Sequence, residues 1–350
     1  MQLPNFLKLP VYAFDISDKS YKYLLLKETK RGVEVADFGG ADIPDGVMDR
    51  GEIKKPDVLA SQLRALFELH NIKYASFALP EEKGFLRTIK LSGVKEGEIG
   101  KVLEFQLEEH VPLPAAEAVF NYTVSKKDGD RYDVVLSAFP KRIVEAYLDV
   151  FSEAGALPVY IESELNASVA AVVPRDFKKT TMLIDWGHTR TSFSIVDEGI
   201  LRFTTTVPIG GTGLDEAIAK GLNVGLTKAE SLKQEKGFVK NTSSTEVFEA
   251  MVPLVSAFRE EVEKYINYWQ SHSEKREAPE RIFLYGGESN LTGFREYLAK
   301  QLNIEVSLAD PWVNVPFPAR YLPEIEMKDS LRFATSIGLS LNTLKENKFL

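Results

Sequence analysis

Apolar and polar positions along the first part of the chain predict strands and helices in alternation. Aromatic and aliphatic runs on either side of the polar stretch Ser17–Ser20 predict a β-hairpin. Residues 34–40 predict a third strand, and 74–79 predict a buried one. Between them, apolar residues recur at helical spacing from Pro56 to His70, and Pro56 suits the first turn of a helix. Three strands, a helix and a strand together predict an α/β unit.

The middle of the chain predicts a smaller module. A short charged helix is expected over 100–110, followed by two strands at 120–124 and 132–139 and by a helix over 140–155. We expect these four elements to form one compact unit inserted into the larger α/β domain.

The second half of the chain repeats the opening pattern. Strands are predicted from 181, at 191–197 and at 200–208, so that Asp15 and Asp185 both follow a first strand and precede a hairpin turn. This match indicates a weak internal repeat of strand, aspartate, turn and strand. Further elements are a buried strand from Arg281 that ends at a double glycine, and helices over 248–269, 293–302 and 330–344.

Composition and charge narrow the function classes. The 350 residues include 43 Lys and Arg against 51 Asp and Glu, a net charge of −8 that argues against a nucleic-acid binder. The absence of cysteine rules out disulfides, zinc–thiolate sites and a cysteine nucleophile, and it fits a reducing cytoplasm. The four histidines lie far apart, so we expect no metal–histidine site.

The hydropathy of the chain and its first residues argue against a membrane span and a secretory signal. No stretch approaches the roughly 18 consecutive apolar residues of a membrane-spanning helix. Residues 1–10 carry two prolines and no long apolar run, which indicates a disordered terminus or a short docking arm rather than a secretory signal.

Three turns combine the features of a phosphate site. Asp15 and Asp185 each stand beside a hairpin turn, whose inward amides can hold phosphate while a carboxylate holds Mg²⁺ through its waters. Gly286 and Gly287 join a strand to a helix, where the backbone can approach a ligand closely. Each feature taken alone is also compatible with an ordinary turn.

The order of these motifs resembles the actin/Hsp70-type ATPase superfamily and, within it, the PilM family of type IV pilus assembly. The likeness rests on residues 14–17 with 21–22 for the first phosphate loop and on 183–196 for the second. Residues 199–203 and 208–212 resemble segments that follow it, and 282–294 resemble the adenosine motif. The likeness covers nearly the whole chain. It implies an α/β, actin-like (ribonuclease-H-like) two-domain ATPase fold with an inserted small α/β subdomain.

The resemblance also implies domain boundaries. Residues 10–93 would form the first actin-like subdomain, completed by 159–180, and residues 94–158 the inserted subdomain that PilM and FtsA carry. The second actin-like domain would span 181–224 and 277–350, with a helical lid-like subdomain over 225–276.

Roles for single residues follow from the resemblance. Asp15 and Asp185 would be the Mg²⁺ carboxylates, and Glu164 would orient the attacking water as the catalytic residue, with Glu162 as the alternative. The remaining residues expected to contact ATP are Ser17, Lys22, Gly187, Thr189, Gly210, Gly211, Glu261, Lys264, Gly286, Gly287 and Ser289. Glu261 and Lys264 also fit an exposed ion pair on one helix face.

One departure from the family pattern concerns the first loop. The family favours glycine after Ile16, where this chain has Ser17 followed by Asp18. An added acid near phosphates is unfavourable unless Mg²⁺ or Lys22 offsets its charge.

The resemblance implies an ATP- and Mg²⁺-binding cytoplasmic scaffold of type IV pilus assembly or related type II secretion. It would bind the N-terminal cytoplasmic tail of a PilN-like inner-membrane protein, in a groove between the first α/β domain and the inserted module. Pilus motor or platform proteins are further candidate partners. Membrane association would occur only through partners, at the inner face of the cytoplasmic membrane, and hydrolysis would be weak at most because no strong base or arginine finger is evident.

Three alternatives remain at this point. An FtsA-like division adaptor would carry a membrane helix beyond a linker, whereas this chain ends at Leu350 directly after the last predicted helix. A small-molecule kinase of the same fold would need a catalytic acid that faces a substrate pocket. A degenerate adaptor that binds no nucleotide is the third alternative, which the altered first loop leaves open.

Overall fold

A computed structural model describes residues 9–346 of the chain. The interpretations of residues 1–10 and of the end of the chain lie outside this range, apart from Leu9, Pro10 and the end of the last helix. Within it, no helix is both long enough and apolar enough to cross a membrane.

The strands and helices alternate through the described chain. The strands are β1 Val11–Ile16, β2 Ser20–Thr29, β3 Gly32–Asp42, β4 Met48–Asp49, β5 Glu52–Ile53, β6 Tyr74–Leu79, β7 Phe85–Ser92, β8 Ala118–Asp128, β9 Arg131–Pro140, β10 Leu157–Ser163, β11 Thr181–Trp186, β12 Thr191–Asp197, β13 Ile200–Val207, β14 Arg281–Tyr285 and β15 Glu305–Leu308. The helices are α1 Pro56–His70, α2 Ile99–His110, α3 Lys141–Ala154, α4 Glu164–Val172, α5 Gly211–Leu222, α6 Leu226–Lys236, α7 Thr245–His272, α8 Phe294–Leu302, α9 Met327–Ser330 and α10 Ala334–Glu346.

Two five-stranded sheets have the same topology. The first has the order β10-β6-β1-β2-β3 and the second the order β15-β14-β11-β12-β13. In each, the first strand pairs antiparallel with the next strand of its hairpin and parallel with a later strand. The internal repeat predicted from the two aspartate-bearing hairpins is therefore confirmed, and the two hairpins occupy equivalent places in the two halves.

Helices cover both faces of the two sheets, and one helix pair connects them. α1 and α3 pack on one face of the first sheet around Phe14 and Phe77, while α5, α7 and α8 pack on the second sheet around Trp186. Residues of α4 and α10 share a core with strands of both sheets. Gly338 lets α10 pack closely against α4, since a Cβ there would lie 1.7 Å from the carbonyl oxygen of Ala167.

The inserted region contains a strand that the hydrophobic pattern did not predict. β7 pairs antiparallel with β9, giving a three-stranded sheet in the order β7-β9-β8 that packs on α2. α3, in contrast, belongs to the core of the first sheet, because its apolar face includes Phe151, whose ring stacks on Phe77 at 4.9 Å. The structure therefore groups these elements differently from the predicted helix, two strands and helix. We call the unit of β7, β8, β9 and α2 the inserted module.

Candidate functional site

A cleft of about 400 Å³ lies where the two hairpin turns face each other. Residues from both sheets, from α4 and from the segment before α10 line it. The lining includes nine of the residues singled out from the sequence, namely Asp15, Ser17, Lys22, Glu164, Asp185, Gly187, Thr189, Gly286 and Gly287.

The first turn presents an acid and a base side by side. Asp15 is buried near the end of β1, directly across from Lys22 of β2, and the ammonium nitrogen lies 3.4 Å from a carboxylate oxygen. The turn between them is fixed locally, since the hydroxyl of Ser17 donates to the carbonyl oxygen of Ser20 at 2.9 Å. Asp15 and Lys22 thus form a charged pair that faces the cleft.

Two further carboxyl groups enter the cleft from half-buried positions. Burial, together with the charge of Asp15, raises the pKa of Asp185, and Lys22 and Arg190 offset only part of this increase. Burial also raises the pKa of Glu164. The charge of Arg190 opposes this increase, and the charges of Asp15 and Asp185 add to it. A nearby cation stabilises the charged form of carboxyl groups that resist ionisation in this way.

Two glycines, Gly210 and Gly211, pack against the backbone of the second turn. The N–H of Gly187 donates to the carbonyl oxygen of Arg190 at 3.0 Å, and the N–H of Gly211 donates to that of Gly187 at 3.1 Å. A Cβ on Gly210 would lie 2.4 Å from the carbonyl oxygen of His188. Gly210 and Gly211 therefore do not line the cleft; they pack under the turn that carries Gly187 and Thr189.

The double glycine after β14 lets the end of this strand approach Asp185. Gly286 has a φ of +88°, and a Cβ there would lie 2.4 Å from a carboxylate oxygen of Asp185. No atom lies within 4 Å of the Cβ position of Gly287, so this residue faces open space. Ser289 does not line the cleft: it is buried, and its hydroxyl donates to the carbonyl oxygen of Tyr285.

Glu261 and Lys264, the remaining residues expected to contact ATP, lie outside the cleft. Glu261 and Lys264 form an ion pair along α7 at 2.9 Å, and the Lys264 ammonium also lies over the ring of Tyr265. Neither residue lines the cleft. The geometry matches the exposed ion pair that the sequence also allowed, and a role in adenosine binding stays a prediction.

Sequence reasoning missed Arg190, the cation that compensates the added acid of the first loop. Arg190 follows the second turn, yet its Nη1 lies 3.2 Å from a carboxylate oxygen of Asp18 and 2.6 Å from one of Glu82, both in the first half. Asp18 also accepts from the N–H of Gly51 at 2.9 Å. The charge of Asp18 is thus offset by Arg190, whereas the sequence reasoning had named Mg²⁺ or Lys22 for this purpose.

A buried ion network below the second turn was also missed. The ammonium of Lys233 on α6 lies 3.1 Å from Asp215 of α5 and 2.9 Å from Glu288, and all three side chains are largely buried. Glu288 in turn faces His188 of the turn at 3.6 Å. The partners are distant in sequence, so no local pattern signalled them.

The residues of the cleft fit a Mg²⁺–nucleotide. Carboxylate oxygens are the ligands that Mg²⁺ prefers, and it usually keeps several waters and binds substrate phosphates. Within residues 9–346, no three His, Cys, Asp or Glu side chains are placed to hold a metal directly. Asp15 and Asp185 would accordingly hold it through waters, and the open space beside Gly287 leaves room for phosphate.

Comparison with solved structures identifies the fold. Over 96% of this chain and 99% of the other, the structure matches a chain of the PilM-PilN type IV pilus biogenesis complex, with a TM-score of 0.80 and 20% identity. The ethanolamine utilization protein EutJ from Carboxydothermus hydrogenoformans matches over 97% and 91%, with a TM-score of 0.58 and 16% identity. MreB5 of Spiroplasma citri bound to ADP matches over 97% and 98%, with a TM-score of 0.59 and 14% identity. The chain therefore has the two-domain actin-like fold.

The sequence profile of one family accounts for almost the whole chain. The family described as type IV pilus assembly protein PilM matches residues 13–344, a range that includes both hairpin turns, the inserted module and the double glycine. The chain belongs to the PilM family of type IV pilus assembly proteins.

Proposed function

We propose that this protein is a nucleotide-binding scaffold of type IV pilus assembly that holds Mg²⁺–ATP between its two halves. The observation that carries the proposal is the cleft in which Asp15, Glu164 and Asp185 face one cavity from both sheets. Membership of the PilM family and the actin-like fold support it.

Each side chain of the cleft has a distinct task in this proposal. Asp15 and Asp185 hold the waters of Mg²⁺, while Lys22 and the turn amides near Gly187 and Thr189 bind phosphate oxygens. The metal ion supplies neutralisation of phosphate charge when it is bound. Glu164 orients a water, and burial raises the pKa of its carboxyl group.

Calorimetric titration of Mg²⁺–ATP into the purified protein tests this proposal. Asp185→Asn removes a cation ligand and should weaken binding at least roughly tenfold, which is the size of one lost charge-assisted contact. Asp149→Asn, on the exposed face of α3, is the matched control and should bind as the wild type does. If neither the wild type nor the control binds, the protein is an adaptor without nucleotide and the proposal is wrong.

We further propose that the partner is the N-terminal cytoplasmic tail of a PilN-like membrane protein. The solved PilM-PilN complex supports this partner, and the absence of a spanning helix in residues 9–346 is compatible with a location at the inner membrane face through the partner. The groove would lie where the inserted module meets α3 of the first half. Val119 of β8, 43% exposed, lies close to this junction because β8 contacts α3.

A labelled peptide of that tail, taken from the same genome, measures the docking directly. Val119→Asp should weaken binding of the peptide because it places a charge where the proposed groove lies. Val58→Asp is the matched control, since Val58 is 39% exposed on α1, which packs on α3 and the core of the first sheet. Equal affinity of the two variants would place the groove elsewhere.

A further inference from the structure

A short turn connects the cleft to the inserted module. Residues 80–84, which we call the connecting turn, follow β6 and lead directly into β7, and Glu81–Lys83 form one turn of 3₁₀ helix. β6 belongs to the first sheet and β7 to the module sheet. Any displacement of the connecting turn therefore moves the edge strand of the module.

Two contacts join the connecting turn to residues that line the cleft. The side chain of Glu82 accepts from Nη1 of Arg190 at 2.6 Å, and the backbone N–H of Glu81 donates to a carboxylate oxygen of Glu164 at 3.4 Å. Arg190 and Glu164 both line the cavity. The turn thus contacts the cleft at one side chain from the second half and at one from α4.

The rest of the connecting turn is packed too tightly to move residue by residue. The carboxyl of Glu81 is buried beside Thr204 of β13. A Cβ on Gly84 would lie 2.7 Å from the ring of Phe139, and one on Gly51 would lie 2.4 Å from Pro80. Close-packed segments shift as units and not by continuous deformation. A change at Glu82 is therefore passed to β7.

Arg190 has the chemistry of a phosphate ligand. Its guanidinium presents five N–H donors in a planar fork that suits phosphate oxygens, and both contacts with Asp18 and Glu82 use the single nitrogen Nη1. A nucleotide phosphate in the cleft carries more negative charge than either carboxylate, so it competes for the same cation.

We propose that Arg190 binds a nucleotide phosphate, that this contact replaces its contact with Glu82, and that the released connecting turn shifts the inserted module. The inference rests on the proposed function, since it makes nucleotide occupancy the signal that regulates docking of the partner tail. The proposal also explains the added acid of the first loop, because Asp18 and Glu82 hold Arg190 in place before phosphate binds.

Hydrogen–deuterium exchange of the full chain, with and without Mg²⁺–ATP, tests the proposal. In the wild type, ATP should raise exchange of amides in residues 80–92. Glu82→Gln removes the charge that holds Arg190, so it should raise exchange there roughly tenfold without ATP, the size of one lost charged hydrogen bond, and ATP should add little. Arg190→Lys keeps the charge but replaces the planar guanidinium with a compact ammonium on a shorter side chain, which weakens the contact with Glu82. It should behave in the same way if Glu82→Gln does not fold.

The matched control is an ion pair between the inserted module itself and the second half. Lys90 of β7 contacts Glu274 on the surface after α7, away from the cleft, so Lys90→Gln should leave the response to ATP intact. If calorimetry shows no binding of ATP by the wild type, the proposed function fails and this inference fails with it. If ATP binds but exchange in 80–92 is unchanged, only this inference is overturned.

Discussion

The two aspartate-bearing turns of the cleft share a backbone arrangement but differ in the residue opposite the aspartate. Asp15 stands across from Lys22, whereas Asp185, at the equivalent position of the second hairpin, stands across from Ser192. The first aspartate thus has a cation on its own hairpin. Asp185 has only the more distant charges of Lys22 and Arg190, and burial keeps its pKa raised.

The two turns also differ in what holds them. The first relies on its own hydroxyl groups and on Asp18, whose partners are Arg190 and the N–H of Gly51. The second rests on Gly210, Gly211 and the buried network of Lys233. One turn is therefore built into a packed core, and the other is held by an ion pair with the opposite half. Under the proposed function, the second turn would be a fixed phosphate platform and the first an adjustable one.

The largest loss of stability should come from breaking the ion network of Lys233 next to the second turn. Lys233→Met leaves Asp215 and Glu288 buried without their cation, which should lower the free energy of unfolding by about 3–5 kcal/mol. Urea denaturation followed by circular dichroism measures this loss. Lys236→Met, on the same helix with an exposed partner, is the control and should have a much smaller effect. Equal losses would show that the buried network does not support the turn.

Crowding the second turn should give the next largest effect. Gly210→Ala places a Cβ 2.4 Å from the backbone oxygen of His188, and backbone atoms move at a cost of roughly 1–3 kcal/mol. The same denaturation experiment measures the loss. Gly225→Ala is a suitable control, because no atom lies within 4 Å of its Cβ position. A Gly210→Ala protein as stable as this control would show that the second turn is not tightly packed.

Neutralising the two aspartates separately should change stability in opposite directions. Because burial raises the folded-state pKa of Asp185, its ionisation costs stability as the pH rises above about 4. Asp185→Asn should therefore raise the free energy of unfolding at pH 7 by roughly 1–2 kcal/mol and flatten its decline with pH. Asp15→Asn should lower it instead, since it leaves Lys22 without its partner.

Denaturation curves between about pH 4 and pH 8 provide the measurement, because the loss falls between the ordinary aspartate pKa of about 4 and the raised pKa of Asp185, about 6. The comparison between the turns fails if both variants shift stability in the same direction at pH 7.

The hairpins, the double glycine and the repeat were predictable because strand alternation and turn residues are local signals. β7 was missed although its buried residues Ile89 and Leu91 alternate with polar ones, since that pattern is too short to stand out. Local patterns also could not show that α3 packs on the first sheet and not on the inserted module. Arg190 and Lys233 were missed for a related reason: their partners are set by how the two halves and the helices pack, and a single sequence does not show such pairs.

The smallest expected effect concerns the pair that sequence reasoning placed beside adenosine. Lys264 contacts Glu261 on the same helix and does not line the cleft. Lys264→Ala should therefore leave the calorimetric affinity for Mg²⁺–ATP unchanged, in contrast to Asp185→Asn. A clear loss of affinity would mean that α7 approaches the nucleotide when it binds, and the second half would then adjust as well as the first.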